Sequence, residues 1–273
     1  MIRYPRNPIL TPNRDNSWES RSVFNPGAYL DGSKVHLLYR AVDENDISYI
    51  GYASSADGLQ IDERLEKPVI SPEYEWENLG VEDTRVNRID GHIYITYTAL
   101  SSKGARVAIA ETRDFRTFKK MGAIGPDHYD KNAVLFPKRI DGRIVLLHRI
   151  IPNIQIAYFK SIEEIINPPE GYWEEHMANL EAFTLLRPKH DWEIVKIGSG
   201  PPPIETDRGW LLIYHGVNHY RGYRVGAALL DLDDSSKVLA RATEPLLEPV
   251  EWYERWGSIP EVVFPTGAVL IDD

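Results

Sequence analysis

Short apolar segments recur along the chain, and each follows a turn marked by glycine. In every copy an Asp and a Gly form the turn, an apolar run follows, and the run ends near an aromatic residue or a histidine. The copies occupy residues 31–40, 90–97, 141–149 and 207–215. Another apolar segment precedes each turn and a third follows each copy, so each unit is predicted to be a meander of three antiparallel strands.

Two proline-containing segments are predicted to add a fourth, outer strand. They are residues 67–72 and 244–249, where proline is tolerated because an edge strand lacks one set of ladder hydrogen bonds. The turn glycines recur about every 50 to 70 residues, close to the roughly 40–50-residue period of propeller blades with loop insertions. The sequence therefore predicts an all-β protein, a single β-propeller domain over residues 1–273, rather than a sandwich.

Two further segments lie outside these meanders. Ser161 and Glu164 have the spacing of a capping box, so one short helix, the only one expected, begins there and ends before Pro168. A fifth unit begins at residues 264–273 and stops at its turn, so the last blade is expected to be incomplete. We expect the chain to be a truncated form of a longer one; the alternative is that the N-terminal segment supplies the missing strands.

Composition and charge narrow the class of function. The net charge of −10 disfavours nucleic acid and anionic membranes as partners, since neither Lys nor Arg forms a run. No window holds the roughly 18 apolar residues of a membrane span, and the N-terminus has no signal-like apolar core, so a cytoplasmic location is expected. Without cysteine, thiolate sites are excluded, and the eight histidines lack metal-ligand spacing, so no metal is expected.

The inner strands of a propeller line one channel, so equivalent positions of successive repeats are expected to converge. These positions carry mostly charged and polar side chains: Asn25, Arg40, Glu82, Asp83, Arg85, Lys131, Asn132, His148, Arg149, Tyr214 and His215. Strand alternation predicts that only one of Glu82 and Asp83 faces the channel. A lone acid opposite Lys, Arg and His suits an anionic nucleophile such as phosphate, whereas an inverting hydrolase needs a second carboxylate. The charge pattern thus favours phosphorolysis.

Each of these residues also has a structural interpretation when it is taken alone. Strand-end Arg and Asp residues often pair across blades. His148 alone is more often a buried imidazole with its partners satisfied, and Tyr214 alone is more often a core aromatic. Only the convergence of several such residues argues for a site.

Six motifs in order give the chain a resemblance to glycoside hydrolase family 130. They are Gly80-Val-Glu-Asp-Thr-Arg85, Lys131-Asn-Ala-Val-Leu-Phe-Pro137, Leu147-His-Arg149, Gly200-Pro-Pro-Pro-Ile204, Tyr214-His-Gly216 and Phe264-Pro-Thr-Gly267. The resemblance covers essentially the whole chain and implies a five-bladed propeller. It further implies inverting phosphorolysis of β-mannosides to α-mannose 1-phosphate, with a β-mannoside oligosaccharide and inorganic phosphate as partners and no cofactor.

The resemblance also implies roles for individual residues. Asp83 aligns with the acid, which in the family protonates the glycosidic oxygen through a mannose hydroxyl. The phosphate ligands fall on Arg106, Lys131 and His148, and Arg40 and Asn25 join the phosphate or mannose shell. The remaining inner-strand residues are expected to bind substrate: Glu82, Arg85, Asn132, Arg149, Tyr214 and His215.

The sequence departs from the family at two places. Thr84 stands where the family commonly has proline, which adjusts local strand geometry and leaves the acid in place. Members usually continue past Asp273 into a strand whose aspartate helps to hold the mannose.

Two other functions stay open at this point. Some relatives are hydrolases of β-1,2-mannosides and are expected to lack the basic cluster. A non-catalytic sugar-binding propeller is the other alternative, favoured by the short last blade and by Tyr220 and Tyr223 near one mouth. The linkage (β-1,2 or β-1,4) and the acceptor sugar are set by loops that no motif describes. A homo-oligomer is compatible with the sequence, although no heptad or apolar stripe marks an interface.

Overall fold

The structure, a computed structural model that describes residues 1–271, is nearly all β. The strands are β1 (Ser22–Asp31), β2 (Lys34–Val42), β3 (Ser48–Ser55), β4 (Glu63–Arg64), β5 (Gly80–Ile89), β6 (His92–Ser101), β7 (Gly104–Thr112), β8 (Phe118–Ile124), β9 (Lys131–Leu135), β10 (Ile144–Arg149), β11 (Ile154–Phe159), β12 (Thr184–Leu186), β13 (Lys196–Ser199), β14 (Ile204–Thr206), β15 (Gly209–Val217), β16 (Tyr223–Leu230) and β17 (Val238–Arg241). The helices are α1 (Ile162–Ile166), α2 (Tyr172–Ala178) and α3 (Trp252–Arg255).

The strands form four successive antiparallel meanders, here called units 1 to 4. Unit 1 is β1–β4, unit 2 is β5–β8, unit 3 is β9–β12, and unit 4 runs from β13 to β17, with β14 beside β15. A single parallel pairing, Ser48 with Gly80, joins units 1 and 2. The predicted hairpins are confirmed. At two of them Asp90-Gly91 and Asp141-Gly142 have positive φ at both residues, as a tight two-residue hairpin turn requires.

The core lies between consecutive units. Apolar residues from units 1 and 2 form one buried cluster, those of units 2 and 3 a second, and those of units 3 and 4 a third. Leu147 of β10 and Trp210 of β15, for example, share the third cluster. Burial of each such side chain contributes roughly 1.5–3 kcal/mol, so the units are held face to face. Equivalent strand ends of neighbouring units therefore lie close together.

Two expectations about the remaining segments were wrong. The outer strands of units 1 and 4 are β4 and β17, which precede the predicted segments 67–72 and 244–249. Those segments form only single bridges, at Ile70 and Leu247, because their prolines lack the donors of a regular ladder. Helices α2 and α3 accompany α1, whose predicted cap is confirmed because the Ser161 side chain accepts a hydrogen bond from the Glu164 amide. Among residues 1–271, no helix is long and apolar enough to cross a membrane.

The predicted fifth unit takes no strand conformation in the part of residues 264–273 that the structure describes. Thr266 donates its hydroxyl to the Pro26 carbonyl at 3.0 Å, and a side chain at Gly267 would collide with the backbone of Pro26 and Ala28. This segment therefore runs against β1. Residues 272 and 273 lie outside the described residues.

A buried tyrosine, glutamate and basic residue recur together in units 1, 2 and 4, and we call this group the Tyr–Glu cluster. Each glutamate ends a Trp-Glu pair in a one-turn 3-10 helix that precedes the unit, and each is fully buried. The tyrosine comes from the second long strand and the base from the outer strand. The clusters are Tyr39, Glu19 and Arg64; Tyr97, Glu77 and Lys120; and Tyr214, Glu193 and Arg241. Each cluster pairs a buried carboxylate with a base, which offsets part of the cost of burying the charge.

Candidate active site

The inner strands of units 1 to 3 share a bulge that aims side chains to one place. Asn25, Asp83 and Asn132 each have positive φ, between 49° and 58°, and the strand pairing shifts register beside each of them. Asn and Asp enter the left-handed region more readily than other residues with a Cβ. Because the bulge interrupts strand alternation, Glu82 and Asp83 both face the same cations. The expectation that only one of them does so was wrong.

Asp83 lies in a buried, positively charged setting. Its carboxylate accepts a hydrogen bond from the Asn25 side chain at 2.8 Å and is 3.8 Å from a guanidinium nitrogen of Arg40. The residue is 5% exposed. Burial alone raises the pKa of Asp83, but the charges of Arg40, Arg85 and Lys131 together hold it below its ordinary value. The group is therefore a carboxylate at neutral pH.

Glu82 is occupied by two ion pairs. One carboxylate oxygen is 2.7 Å from Arg40 and the other is 2.8 Å from the Lys131 ammonium. Both oxygens are thus bound to cations that belong to the site. Glu82 fixes the two bases and is poorly placed to act as a second acid or base.

The second long strands present alternating residues to the site and to the core. The site-side residues are Arg40, Thr98, Arg149 and His215, which pair with Phe24, Glu82, Lys131 and Gly198 of the inner strands. The core-side residues directly precede them: Tyr39, Tyr97, His148 and Tyr214. In all four units, one face of the second long strand thus points to the candidate site, and the other face packs in the core.

On the site side, several buried polar atoms have no partner within residues 1–271. They include both ring nitrogens of His215, the side-chain oxygen of Asn132 and the Nε of Arg149. A Cβ at Gly198 would lie 2.6 Å from the His215 ring and 2.9 Å from Asn132, so glycine is needed for these groups to approach. Unpaired buried polar atoms are costly, and their grouping marks a place for a polar ligand.

Uncompensated positive charge surrounds this group. Burial lowers the pKa of Arg149, and burial, Arg149 and Arg85 together hold the pKa of His215 well below its ordinary value. Lys196 adds a further cation whose pKa is lowered by burial and then by Arg149. In the described part of the chain, neither Arg149 nor Lys196 forms an ion pair with a carboxylate. These positive charges therefore favour an anionic ligand at this position.

Sequence reasoning missed Lys196, although strand alternation offered a signal. Gly198 faces the His215 ring, and in β13 a residue two positions away points to the same face. Lys196 therefore lies on the same face of β13 as Gly198, on the site side.

Arg85 and Arg106 stand apart from the unpaired cations. Arg85 donates to the Asp83 backbone carbonyl at 2.5 Å and to those of Ser199 and Gly200, and burial lowers its pKa to about 10. It therefore holds the Asp83 backbone. Arg106 pairs with the exposed Asp127 and contacts no other predicted site residue, so its role as a phosphate ligand stays a prediction.

Two predicted site residues lie on the core side. His148 is fully buried, with one ring nitrogen 2.8 Å from Asp130 and the other 3.0 Å from His176, so it has no nitrogen free for phosphate. Tyr214 accepts a hydrogen bond from Arg241 at 2.9 Å and packs on Trp192. The placement of these two residues in the site was wrong, because each precedes the site-side residue by one strand position.

A buried carboxylate beside unpaired cations and neutral polar groups is typical of an enzyme site that combines an acidic group with an anionic ligand. The family model described as beta-1,4-mannooligosaccharide phosphorylase matches residues 3–273. The chain belongs to this family, glycoside hydrolase family 130.

Its relatives agree with that assignment. The chain is 40% identical to a 1,2-beta-oligomannan phosphorylase of Thermoanaerobacter sp. (strain X514), with 97% of this chain and 88% of the relative covered. It is 39% identical to a beta-1,2-mannobiose phosphorylase of the same organism, over 100% and 91% of the two chains. The solved beta-1,2-mannobiose phosphorylase of Listeria innocua, in complex with beta-1,2-mannobiose, superposes with a TM-score of 0.81 at 28% identity, covering 99% and 90%.

Proposed function

We propose that the protein phosphorolyses β-mannosides with inversion, releasing α-mannose 1-phosphate, and that β-1,2-linked mannosides are its first substrates. The two Thermoanaerobacter relatives described above are both named for 1,2-beta-linked substrates. The observation that carries the proposal is the unpaired positive charge beside Asp83. A hydrolase needs a second carboxylate free to activate water, whereas Glu82 is held by Arg40 and Lys131.

In this proposal phosphate occupies the pocket between Lys131, Arg149, Lys196 and His215. Arginine and lysine bind phosphate oxygens by charge-assisted hydrogen bonds, and neutral His215 offers one N–H donor. The unpaired Nε of Arg149 and the protonated ring nitrogen of His215 then gain an acceptor. Mannose lies beside Asn25 and Asp83, so the phosphate faces its anomeric carbon.

The reaction breaks the bond between the anomeric carbon and the glycosidic oxygen and forms a bond from that carbon to a phosphate oxygen on the opposite face. Asp83 supplies the proton that the leaving oxygen needs, through a mannose hydroxyl. Hydrogen phosphate restores that proton, so the overall reaction is balanced without another reactant. Phosphate binding neutralises the positive field that lowers the pKa of Asp83. Phosphate binding therefore raises the pKa of Asp83 and favours its protonated form.

We further propose that units 1 to 4 are blades of a five-bladed propeller formed by one catalytic domain. The fifth blade then combines residues 242–271 with the N-terminal segment. Support comes from an ion pair of 2.6 Å between Arg3 and Glu254. Glu254 also follows a tryptophan by two residues and accepts hydrogen bonds from Val250 and Glu251 amides, much as Glu77 caps its own turn. Arg3 thus takes the place of the outer-strand base.

The experiment is to incubate the purified protein with β-1,2-mannobiose with and without inorganic phosphate, and to follow the products by phosphorus and proton NMR. Formation of α-mannose 1-phosphate only when phosphate is present supports the proposal. Release of free mannose at equal rates in both reactions shows a hydrolase instead. Binding of mannobiose without turnover in either reaction shows a sugar-binding protein.

A further inference from the structure

Unit 3 differs from the other three units at the position of the Tyr–Glu cluster. His148 stands where units 1, 2 and 4 have Tyr39, Tyr97 and Tyr214, and no Trp-Glu turn precedes β9. A different group surrounds this core-side residue. It consists of Asp130 from the segment before β9, His148 from β10 and His176 from α2, and all three are 0% or 1% exposed. Unit 3 is also the unit that provides two of the cations proposed to hold phosphate, Lys131 and Arg149.

Asp130 connects this group directly to both cations. One carboxylate oxygen accepts the backbone amide of Arg149 at 2.9 Å, and the other lies 2.8 Å from His148. Asp130 is also the chain neighbour of Lys131. The β9–β10 pairing shifts register between Leu147 and Arg149, so the aspartate supports the Arg149 backbone where the regular ladder is interrupted.

Contacts on several sides hold Asp130 in place. The Asp130 amide donates to the Ala105 carbonyl of β7 at 3.1 Å, which ties it to unit 2. A Cβ at Gly125 would lie 3.2 Å from its carboxylate. On the far side, the second nitrogen of His148 is 3.0 Å from His176, whose ring stacks on Phe183 at 4.3 Å. Burial lowers the pKa of His176 to about 4, so that ring is neutral and serves as a hydrogen-bond partner rather than a charge.

We propose that Asp130 and His148 are positioning residues, which hold Arg149 and Lys131 in the orientation that binds phosphate. His176 connects helix α2 to this group through its contact with His148. This inference rests on the proposed phosphorolysis. Neither residue touches the substrates. Substitution of either residue is therefore expected to weaken phosphate binding. Mannoside binding, which is proposed to involve units 1 and 2, is expected to stay unchanged.

The test compares four variants by steady-state kinetics with phosphate and mannoside varied separately. In Asp130→Ala and His148→Phe, the phosphate KM is expected to rise about tenfold, because a cation displaced by a fraction of an ångström loses its charge-assisted contact. The mannoside KM and the kcat at saturating phosphate are expected to change by less than about twofold. His148→Asn keeps a donor toward Asp130 and is expected to restore the phosphate KM. Asp130→Asn keeps an acceptor for the Arg149 amide and is expected to be intermediate.

The matched control is Tyr97→Phe, which opens the Tyr–Glu cluster of unit 2. It lowers Tm and leaves the phosphate KM at the wild-type value. Variants of Asp130 and His148 that lower Tm with an unchanged phosphate KM overturn the inference, since the group is then merely structural. If Asp130→Ala does not fold, the Asn variants and His148→Phe decide the question by phosphate calorimetry. Wild-type turnover that does not depend on phosphate contradicts the proposed function itself, which separates the two failures.

Discussion

His148 and His215 occupy consecutive units, lie on equivalent strands and are both fully buried, yet their surroundings are opposite. Both nitrogens of His148 have protein partners at 2.8 and 3.0 Å, whereas neither nitrogen of His215 has one within the described residues. The difference is one strand position. His148 precedes the site-side residue Arg149, while His215 is itself the site-side residue. Burial and residue type therefore do not separate a histidine with protein partners from one whose ring nitrogens are unpaired, but the register of its strand does.

The largest effect on kinetics is expected for substitution of Asp83, the proposed acid. Asp83→Asn removes the proton donor, and we expect kcat to fall about a thousandfold, within the usual range for loss of general acid catalysis. Phosphate binding is expected to persist or tighten, because a negative charge leaves a pocket built for an anion. Steady-state kinetics and calorimetry measure the two. Near-normal turnover in the variant would remove Asp83 from the chemistry.

The next effect is expected at the site-side histidine. His215→Ala removes a buried donor that faces the proposed phosphate, and we expect the phosphate KM to rise about tenfold or more. The fully buried ring also packs on Tyr223 and Phe264, so Tm is expected to fall as well, and the rise in the phosphate KM is the part that reports ligand binding. Kinetics and differential scanning calorimetry test both parts. A large fall in Tm with a normal phosphate KM would make His215 structural, like His148.

Lys196 allows a test in which stability and function move in opposite directions. It lies near Arg149 and Lys131 without a carboxylate partner in residues 1–271, so like charges oppose folding there. We expect Lys196→Met to raise the phosphate KM about tenfold and also to raise Tm. Lys138→Met, which removes an exposed ion pair with Glu205, is the control and leaves both values nearly unchanged. A fall in Tm together with normal phosphate kinetics would contradict this account of the pocket.

On the core side, kinetics are expected to stay constant while stability falls. Tyr214→Phe leaves the Nε of Arg241 without its acceptor and is expected to lower the free energy of unfolding by about 1–2 kcal/mol. Urea denaturation measures the change. The neighbouring residue His215 keeps its place, so both KM values are expected to match the wild type. A selective rise in the phosphate KM would show that the two strand faces are coupled.

The smallest effect concerns acid stability. The pKa of Asp83 is lowered in the folded protein, so its ionised form stabilises the fold above the unfolded pKa of about 3.9, and that stability is lost as pH falls through the lower folded value. We expect the difference in unfolding free energy between wild type and Asp83→Asn to be constant above about pH 5 and to shrink below about pH 4. Denaturant titrations at several pH values measure it. A difference that grows on acidification would show that the pKa is raised.

Much of the fold follows from the sequence because glycine turns and apolar runs are local signals. The hairpins at Gly32 and Gly91 and the cap at Ser161 are examples. The outer strands were misplaced because two-residue β4 carries no apolar pattern of its own. Helix α2 was missed because its buried residue is a histidine rather than an apolar residue.

The site was harder to predict, for two physical reasons. Asp83 has a φ of 53°, and a bulge of this kind breaks the alternation on which face assignments depend. His148 and Tyr214 end the same apolar runs as the site-side residues, so composition alone does not separate them. The repeated Trp-Glu pairs, Trp18-Glu19, Trp76-Glu77 and Trp192-Glu193, were the visible signal that tyrosines at this position have core partners.

Phosphate is proposed to bind on the site side of the second long strands, next to Asp83. The most direct measurement is a crystal structure of the Asp83→Asn protein soaked with phosphate and β-1,2-mannobiose. We expect phosphate oxygens within hydrogen-bond distance of Lys131, Arg149, Lys196 and His215, with His148 still bound to Asp130. A phosphate bound elsewhere, with His215 and Lys196 left unpaired, contradicts the account.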